Sequence, residues 1–248
     1  MNESTSGMRE FGQYLENVLT QQKPEIIQHD GRPYLMTTDG ISPILEPKAS
    51  KIDVATLTGL VDYIKSGIDS FEGILIHVVS PTRVDFLSGV HGPHMQRAVY
   101  MTATAAVPRI AFDAFMLQES FIIQTQSCFV QQNDNDDDLA TVLSVAGNIR
   151  ESAVKDTLDD GVSQVVTARS GVAKLTDVVV PKQVLLTPIR TFAEIQQPAS
   201  SFVFRIQDGP RMALFEADGG AWKNEAMLRI KDYLEEALSG CGQSSIIA

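Results

Sequence analysis

The chain of 248 residues predicts an α+β fold, with antiparallel sheets flanked by helices and a closing β-β-α unit at the C-terminal end. Three patterns predict it. Residues 183–187, 201–206 and 211–215 read as strands, separated by a loop bounded by Pro188 and Pro198 and by the turn Gln207-Asp208-Gly209-Pro210. Residues 73–79, 82–88 and 97–105 are three further runs joined by short links, the mark of an antiparallel meander. Between these β-rich parts, residues 114–129 and 139–149 carry apolar side chains at helical spacing.

The elements follow in chain order. Residues 1–7 are small and polar, and Met8, Phe11, Tyr14, Leu15, Val18 and Leu19 then recur at helical spacing to about residue 20. Pro24 lies beyond that helix end. Extended runs at 25–28 and 33–37 flank the turn signal Asp30-Gly31. Gly40, Pro43 and Pro47 mark 39–48 as a loop. Asp53 is placed to cap a helix carrying Val54, Leu57, Leu60, Val61 and Ile64, which Gly67 ends. The run 73–79 is almost continuously apolar, as in a strand covered on both faces. Asp113 is placed to cap the helix 114–129, with Phe115, Met116, Leu117, Ile122 and Ile123 as its apolar side. The acids of 134–138 suit the start of the next helix, where unpaired N–H groups and the helix dipole favour negative charge. The pattern returns to β at 161–171 and 175–186. In the closing helix Trp222, Ala226, Ile230, Tyr233, Leu234 and Ala237 form one stripe, which predicts packing against a sheet. The tail from Ser239 has no pattern. The expected organisation is one compact unit with two subdomains, 1–110 and 111–248, meeting near 108–113.

Composition narrows the function classes. A hydrophobic share of 44% with 21% charged residues supplies a sizeable core and argues against wholesale disorder. Affinity for nucleic acid comes largely from cations that neutralise phosphates, and a formal charge of -11 weighs against sequence-independent DNA binding. Two cysteines, Cys128 and Cys241, make no disulfide framework and no CxxC. With no apolar signal segment at the start and no long apolar run, the expected address is the cytoplasm.

No Walker phosphate loop, Gly-x-Gly-x-x-Gly, HExxH or Gly-x-Ser-x-Gly is present, which argues against the common NTPase, dinucleotide, zincin and lipase chemistries. No cofactor is expected. His91 and His94, three apart in a loop, could ligate a metal with Asp85 or His77, but spacing fixes no third ligand and a polar turn is the plainer reading. Asp134, Asp136 and Asp138 match the first positions of a calcium loop. The match fails where Leu139 and Val145 replace its Gly and Glu. Glu216 and Asp218 beside Gly219-Gly220 read either as an acid–base pair or as the corner that turns a sheet into a helix, and the corner is favoured. Ser163, Gln164, Thr167 and Arg169 put hydroxyl, amide and guanidinium groups on one strand. They suit a ligand or partner, the alternative being a solvated face. Arg190 and Phe192 add a cation and an aromatic ring, the pairing that stacks on flat ligands.

Several segments together resemble a family. Asn148-Ile-Arg, Asp159-Asp-Gly-Val-Ser-Gln164, Arg190-Thr-Phe-Ala-Glu194, Gln197-Pro198, Phe202-Val-Phe-Arg205, Ala213-Leu-Phe-Glu-Ala-Asp-Gly-Gly220 and Trp222-Lys223 resemble the YfdQ-like proteins of phages and prophages. The likeness covers about 112–238, with a looser match to the β-rich section before it. It implies a phage-encoded accessory protein acting in the bacterial cytoplasm, and it supplies no catalytic residues. The expected function is non-enzymatic binding or assembly, as a homo-oligomer that engages a host or phage protein or sequesters a small ligand. The alternative is an accessory factor in phage DNA replication or recombination.

Overall fold

The computed structural model describes residues 11–14, 17, 24–37, 39–69, 71, 73–131, 138–149, 158–159, 164–170, 174–207, 209, 211–241 and 244–248. For 158–159, 164–170, 174–179 and 244 it describes the backbone alone. Helices and largely antiparallel sheets alternate through it, an α+β fold. The chain divides into two compact units. One is Met1–Ser50 with Ser88–Ala98, the other Lys51–Leu87 with Val99–Ala248. No helix among the described residues is long and apolar enough to cross a membrane.

The smaller unit holds a three-stranded antiparallel sheet, β1 (Glu25–His29), β2 (Arg32–Thr37) and β3 (Gly40–Pro43). The turn between β1 and β2 is Asp30-Gly31, both at positive φ, the conformation a two-residue hairpin turn needs. The loop expected at 39–48 is thus partly strand. Gly40, at φ 137, lets the chain reverse tightly enough for Ile41 to pair with Met36.

In the larger unit, β4 (Ile52–Val54) precedes α1 (Leu57–Ser66). The cap is Thr56 rather than Asp53, its hydroxyl accepting from the Gly59 N–H at 3.1 Å, because residues 52–54 are drawn into a sheet. Gly67 ends the helix at φ 61, as its sequence position implies. Next come β5 (Ile74–Ser80), β6 (Arg83–Ser88) and β7 (Val99–Thr104). They form the centre of a five-stranded sheet that includes β15 (Ser244–Ile247) and is ordered β15-β5-β6-β7-β4, with β6 and β7 antiparallel. Both edge strands add in parallel, β4 to β7 and β15 (Ser244–Ile247) to β5. The patternless tail is therefore an edge strand.

A short β8 (Met116–Leu117) then leads into α2 (Gln118–Cys128), followed by α3 (Asp138–Asn148). Asp113 does not cap α2. It sits at φ 59, four residues before β8 ends, and the cap position is Leu117, because pairing with Arg211 and Met212 holds 116–117 extended. The backbone continues through β9 (Leu158–Asp159), β10 (Gln164–Ser170) and β11 (Lys174–Val180), a separate antiparallel sheet. Then β12 (Val184–Leu186), β13 (Ser200–Gln207) and β14 (Arg211–Glu216) form a sheet ordered β12-β13-β14-β8, and α4 (Ala221–Ala237) closes the pattern.

Two apolar clusters sit inside this unit. In one, Phe121, Val142 and Ala146 of α2 and α3 cover Phe202, Phe204, Met212 and Leu214 of β13 and β14. Phe121 stacks on Phe204 with ring centroids 5.4 Å apart. In the other, Leu57, Leu60 and Ile64 of α1 and Ile230 and Leu234 of α4 cover Ile76, Val78, Val84, Phe86 and Met101 of β5, β6 and β7. The closing helix therefore buries its stripe on the five-stranded sheet, not on the strands that precede it.

Candidate functional site

Arg190, Gln197, Ser200, Glu216, Asp218 and Trp222 meet at the loop between β12 and β13, and this loop is a clamp. Its Arg190 is 7% exposed. The guanidinium donates to Glu216 Oε1 at 2.8 Å and to the Ser200 hydroxyl, and Ser200 in turn donates to Asp218 at 2.6 Å. Arg190 lies 3.8 Å from the centroid of the Trp222 ring, a cation–π stack. Burial pushes the Arg190 guanidinium down to about 10, against the pull of Glu216 and Asp218, so it stays protonated at neutral pH. Gln197 accepts from the Arg190 and Thr191 N–H groups at 3.0 and 3.2 Å, fixing the bend.

The rest of the loop ties neighbouring elements to that bend. Thr191 donates to the Pro81 carbonyl in the β5–β6 turn. Glu194 accepts from the Thr58 N–H at 3.0 Å, taking up an unpaired donor at the start of α1. Arg229 of α4 donates to the Gln196 carbonyl at 2.8 Å. Phe192 is 1% exposed among the side chains under the five-stranded sheet. It has no face left to stack on a ligand, and Arg190 has its charge matched internally. The expected cation–aromatic pair is here a joint between two cores.

Glu216 and Asp218 follow the corner reading. Asp218 accepts from the Gly220 N–H at 2.9 Å, and Gly219 and Gly220 both take positive φ where the strand turns into α4. Burial pushes the Asp218 carboxyl up, but the Ser200 hydroxyl, the Gly220 and Trp222 N–H groups and Arg190 outweigh it and hold the carboxyl below the usual range. Asp85 behaves alike: burial raises it, and hydrogen bonds from Arg83 and Thr102 bring it down. A carboxyl with a depressed folded-state pKa stabilises the fold above its unfolded pKa, and that contribution is lost as pH falls through the folded one. The urea midpoint is therefore expected to drop below about pH 4, and Asp218→Asn and Asp85→Asn each to flatten the drop. An acid limb identical to wild type in both variants would remove this account.

The other sequence candidates lie elsewhere. Ser163 is outside the described residues; Gln164, Thr167 and Arg169 are on β10, where the backbone alone is described. Asp134 and Asp136 also lie outside them, and Asp138 accepts from the Leu185 N–H at 2.6 Å as the first residue of α3. His91 and His94 belong to the smaller unit. The His94 Nε2 is 2.9 Å from the Pro33 carbonyl, to which it donates, and the ring meets Tyr34 edge-on at 5.1 Å. His91 Nδ1 lies 3.2 Å from the Gly89 carbonyl and 3.3 Å from the Ser88 hydroxyl. Among the described residues no group of three His, Cys, Asp or Glu side chains could hold a metal.

A cleft lies on the small sheet. It has a volume of about 450 Å³ and is lined by Ile27, Gln28, His29, Tyr34 and Ile41. The register sets Ile27 opposite Tyr34 and Met36 opposite Ile41, adjacent rungs of one face. Ile41 is 62% exposed, and Met36 on the same face is also exposed. His94 supports the Tyr34 ring from the side. An apolar floor with the amide of Gln28 and the imidazole of His29 among its lining suits a hydrophobic group with a polar end. The expectation of a loop at 39–48 hides this face; the alternation Tyr34, Met36 and then Ile41 is a local signal of it. No family model matches the chain, and neither a curated protein nor a solved structure does.

Proposed function

We propose that this chain is a non-enzymatic binding or assembly protein, a phage-encoded accessory factor acting in the bacterial cytoplasm, and that the β1–β3 face is its docking surface. The observation that carries the docking role is the exposed apolar cleft of Ile27, Tyr34 and Ile41 on a sheet with few buried side chains. Exposed apolar surface of this kind is kept where another molecule covers it. The phage assignment rests on the residue likeness of 112–238 to YfdQ-like proteins.

The test places a photoreactive benzoylphenylalanine at Ile41 of the full chain and irradiates the expressing bacteria. A discrete adduct with one protein species is the expected result; its absence at every expression level overturns the docking role. Single-stranded DNA is expected not to bind at low salt, where the electrostatic contribution is strongest. Tight binding there would turn the reading toward a DNA replication or recombination factor.

A further inference from the structure

We propose that the outward face of the β12-β13-β14-β8 sheet is a second docking surface, and that its occupant is an acidic amphipathic segment of another protein, seated through a carboxylate on Arg205 and Arg211. The inference stands independently of the β1–β3 face.

Register defines the surface. Arg205 pairs with Ala213, Val203 with Phe215, Leu185 with Ser201 and Arg211 with Leu117. Paired residues point to one side of a sheet, and neighbours along a strand to the other. Phe202, Phe204, Met212 and Leu214 lie under α2 and α3. Leu117, Leu185, Val203, Arg205, Arg211 and Phe215 therefore share the opposite face. Leu185 and Leu117 are 56% and 60% exposed. Val203 and Phe215 are half-buried, and the Phe215 ring meets Phe115 at a steep angle, with centroids 5.7 Å apart.

Three observations select the occupant. First, charge on this face has one sign. The chain has 31 acids against 20 bases, yet the outward positions of these four strands hold two arginines and no carboxylate. Neither guanidinium makes an ion pair among the described residues. Second, Arg205 Nη1 is buried without a hydrogen-bond acceptor. An unmatched charged donor is costly, and a carboxylate oxygen is the acceptor that matches it best. Arg211 is exposed and diagonal to Arg205 in the register, so one acidic segment reaches both.

Third, the shape suits a protein segment. Sheets bury an apolar face against another element, whereas small ligands take concave sites. Single-stranded nucleic acid asks for a charged groove that tracks many phosphates. This face has two cations on adjacent rungs, in a chain of net charge -11. The same net charge sets two copies of the chain against each other. The chain's own described residues leave Arg205 Nη1 unmatched.

The probe is a labelled synthetic helix with a leucine stripe flanked by glutamates, titrated with the full chain by fluorescence anisotropy. Binding at low salt that weakens as salt rises is expected. The same helix with glutamine in place of glutamate is expected to bind at least about tenfold more weakly, the loss of a charge-assisted hydrogen bond. Arg205→Gln and Arg211→Gln are each expected to lose about as much, and Leu117→Glu more. Lys231→Gln on α4 is expected to bind as wild type. Arg211 is exposed, so its variant reports on binding even where Arg205→Gln loses circular dichroism signal. Three results overturn the proposal: no binding at low salt, equal binding of the two helices, or full affinity in Arg211→Gln. An oligo-dT strand that displaces the helix overturns it in favour of nucleic acid. A wild-type dimer that Arg211→Gln dissolves, read by light scattering, overturns it in favour of a second copy.

Discussion

Arg190→Ala is expected to destabilise the protein by about 3 kcal/mol, since removing one partner of a buried ion pair strands the other. Glu216 and Asp218 would then face each other without the cation that both pull on, and Trp222 would lose the plane stacked against it. In thermal unfolding of a chain this size the shift is roughly 6–12 °C. Arg190→Lys is expected to recover less than half. An ammonium keeps the charge but cannot reach Glu216 and Ser200 together while lying flat on the indole. Arg190→Met with Glu216→Gln should cost less than Arg190→Met alone, because the carboxylate that the guanidinium bonds directly is then neutral and only Asp218, held by Ser200 and the Gly220 N–H, keeps its charge at that corner. A loss under about 0.5 kcal/mol for Arg190→Ala, within the range of an ordinary surface change, would end the view of this loop as a joint.

The second large effect is at Phe192. Phe192→Ala is expected to cost about 3–5 kcal/mol, the range for deleting a buried aromatic side chain, and Phe192→Leu less than about 1.5 kcal/mol. The reason is its place beside Ile195, Ile230 and Leu234 under the five-stranded sheet. Chemical denaturation of the three proteins measures it. A ligand-stacking Phe192 predicts the opposite pattern, with stability unchanged and binding lost.

These two residues show why the site was harder to read than the fold. Cation, aromatic ring and proline-bounded loop are the same letters whether the loop faces solvent or joins two cores. Exposure decides between them, and exposure depends on elements far away in sequence, here Pro81, Thr58 and Arg229. The corner at Glu216 and Asp218 was readable because its cause is local. Two glycines at positive φ and a carboxylate within reach of the next N–H groups make a turn whatever surrounds them. The β1–β3 face went unread for a third reason. Gly and Pro signal loops on average, yet Gly40 here supplies the reversal that lets Ile41 pair back on Met36.

By itself the sequence determined which segments are helices and strands wherever the apolar period is clean. It also determined the hairpin at Asp30-Gly31, the helix stop at Gly67 and the strand-turn-strand-helix order from β12 to α4. Period and turn chemistry act over a few residues, so one sequence carries them in full. The tertiary structure decided which surface each element meets. It sent the Ile230 and Leu234 stripe of α4 to β5 rather than to the adjacent β14. It also drew residues 244–247, without any pattern of their own, into parallel pairing with β5 some 170 positions earlier. A stripe or a strand edge specifies that something apolar or hydrogen-bonding must cover it. Which of several chemically equivalent partners does so is settled only when the whole chain competes for them.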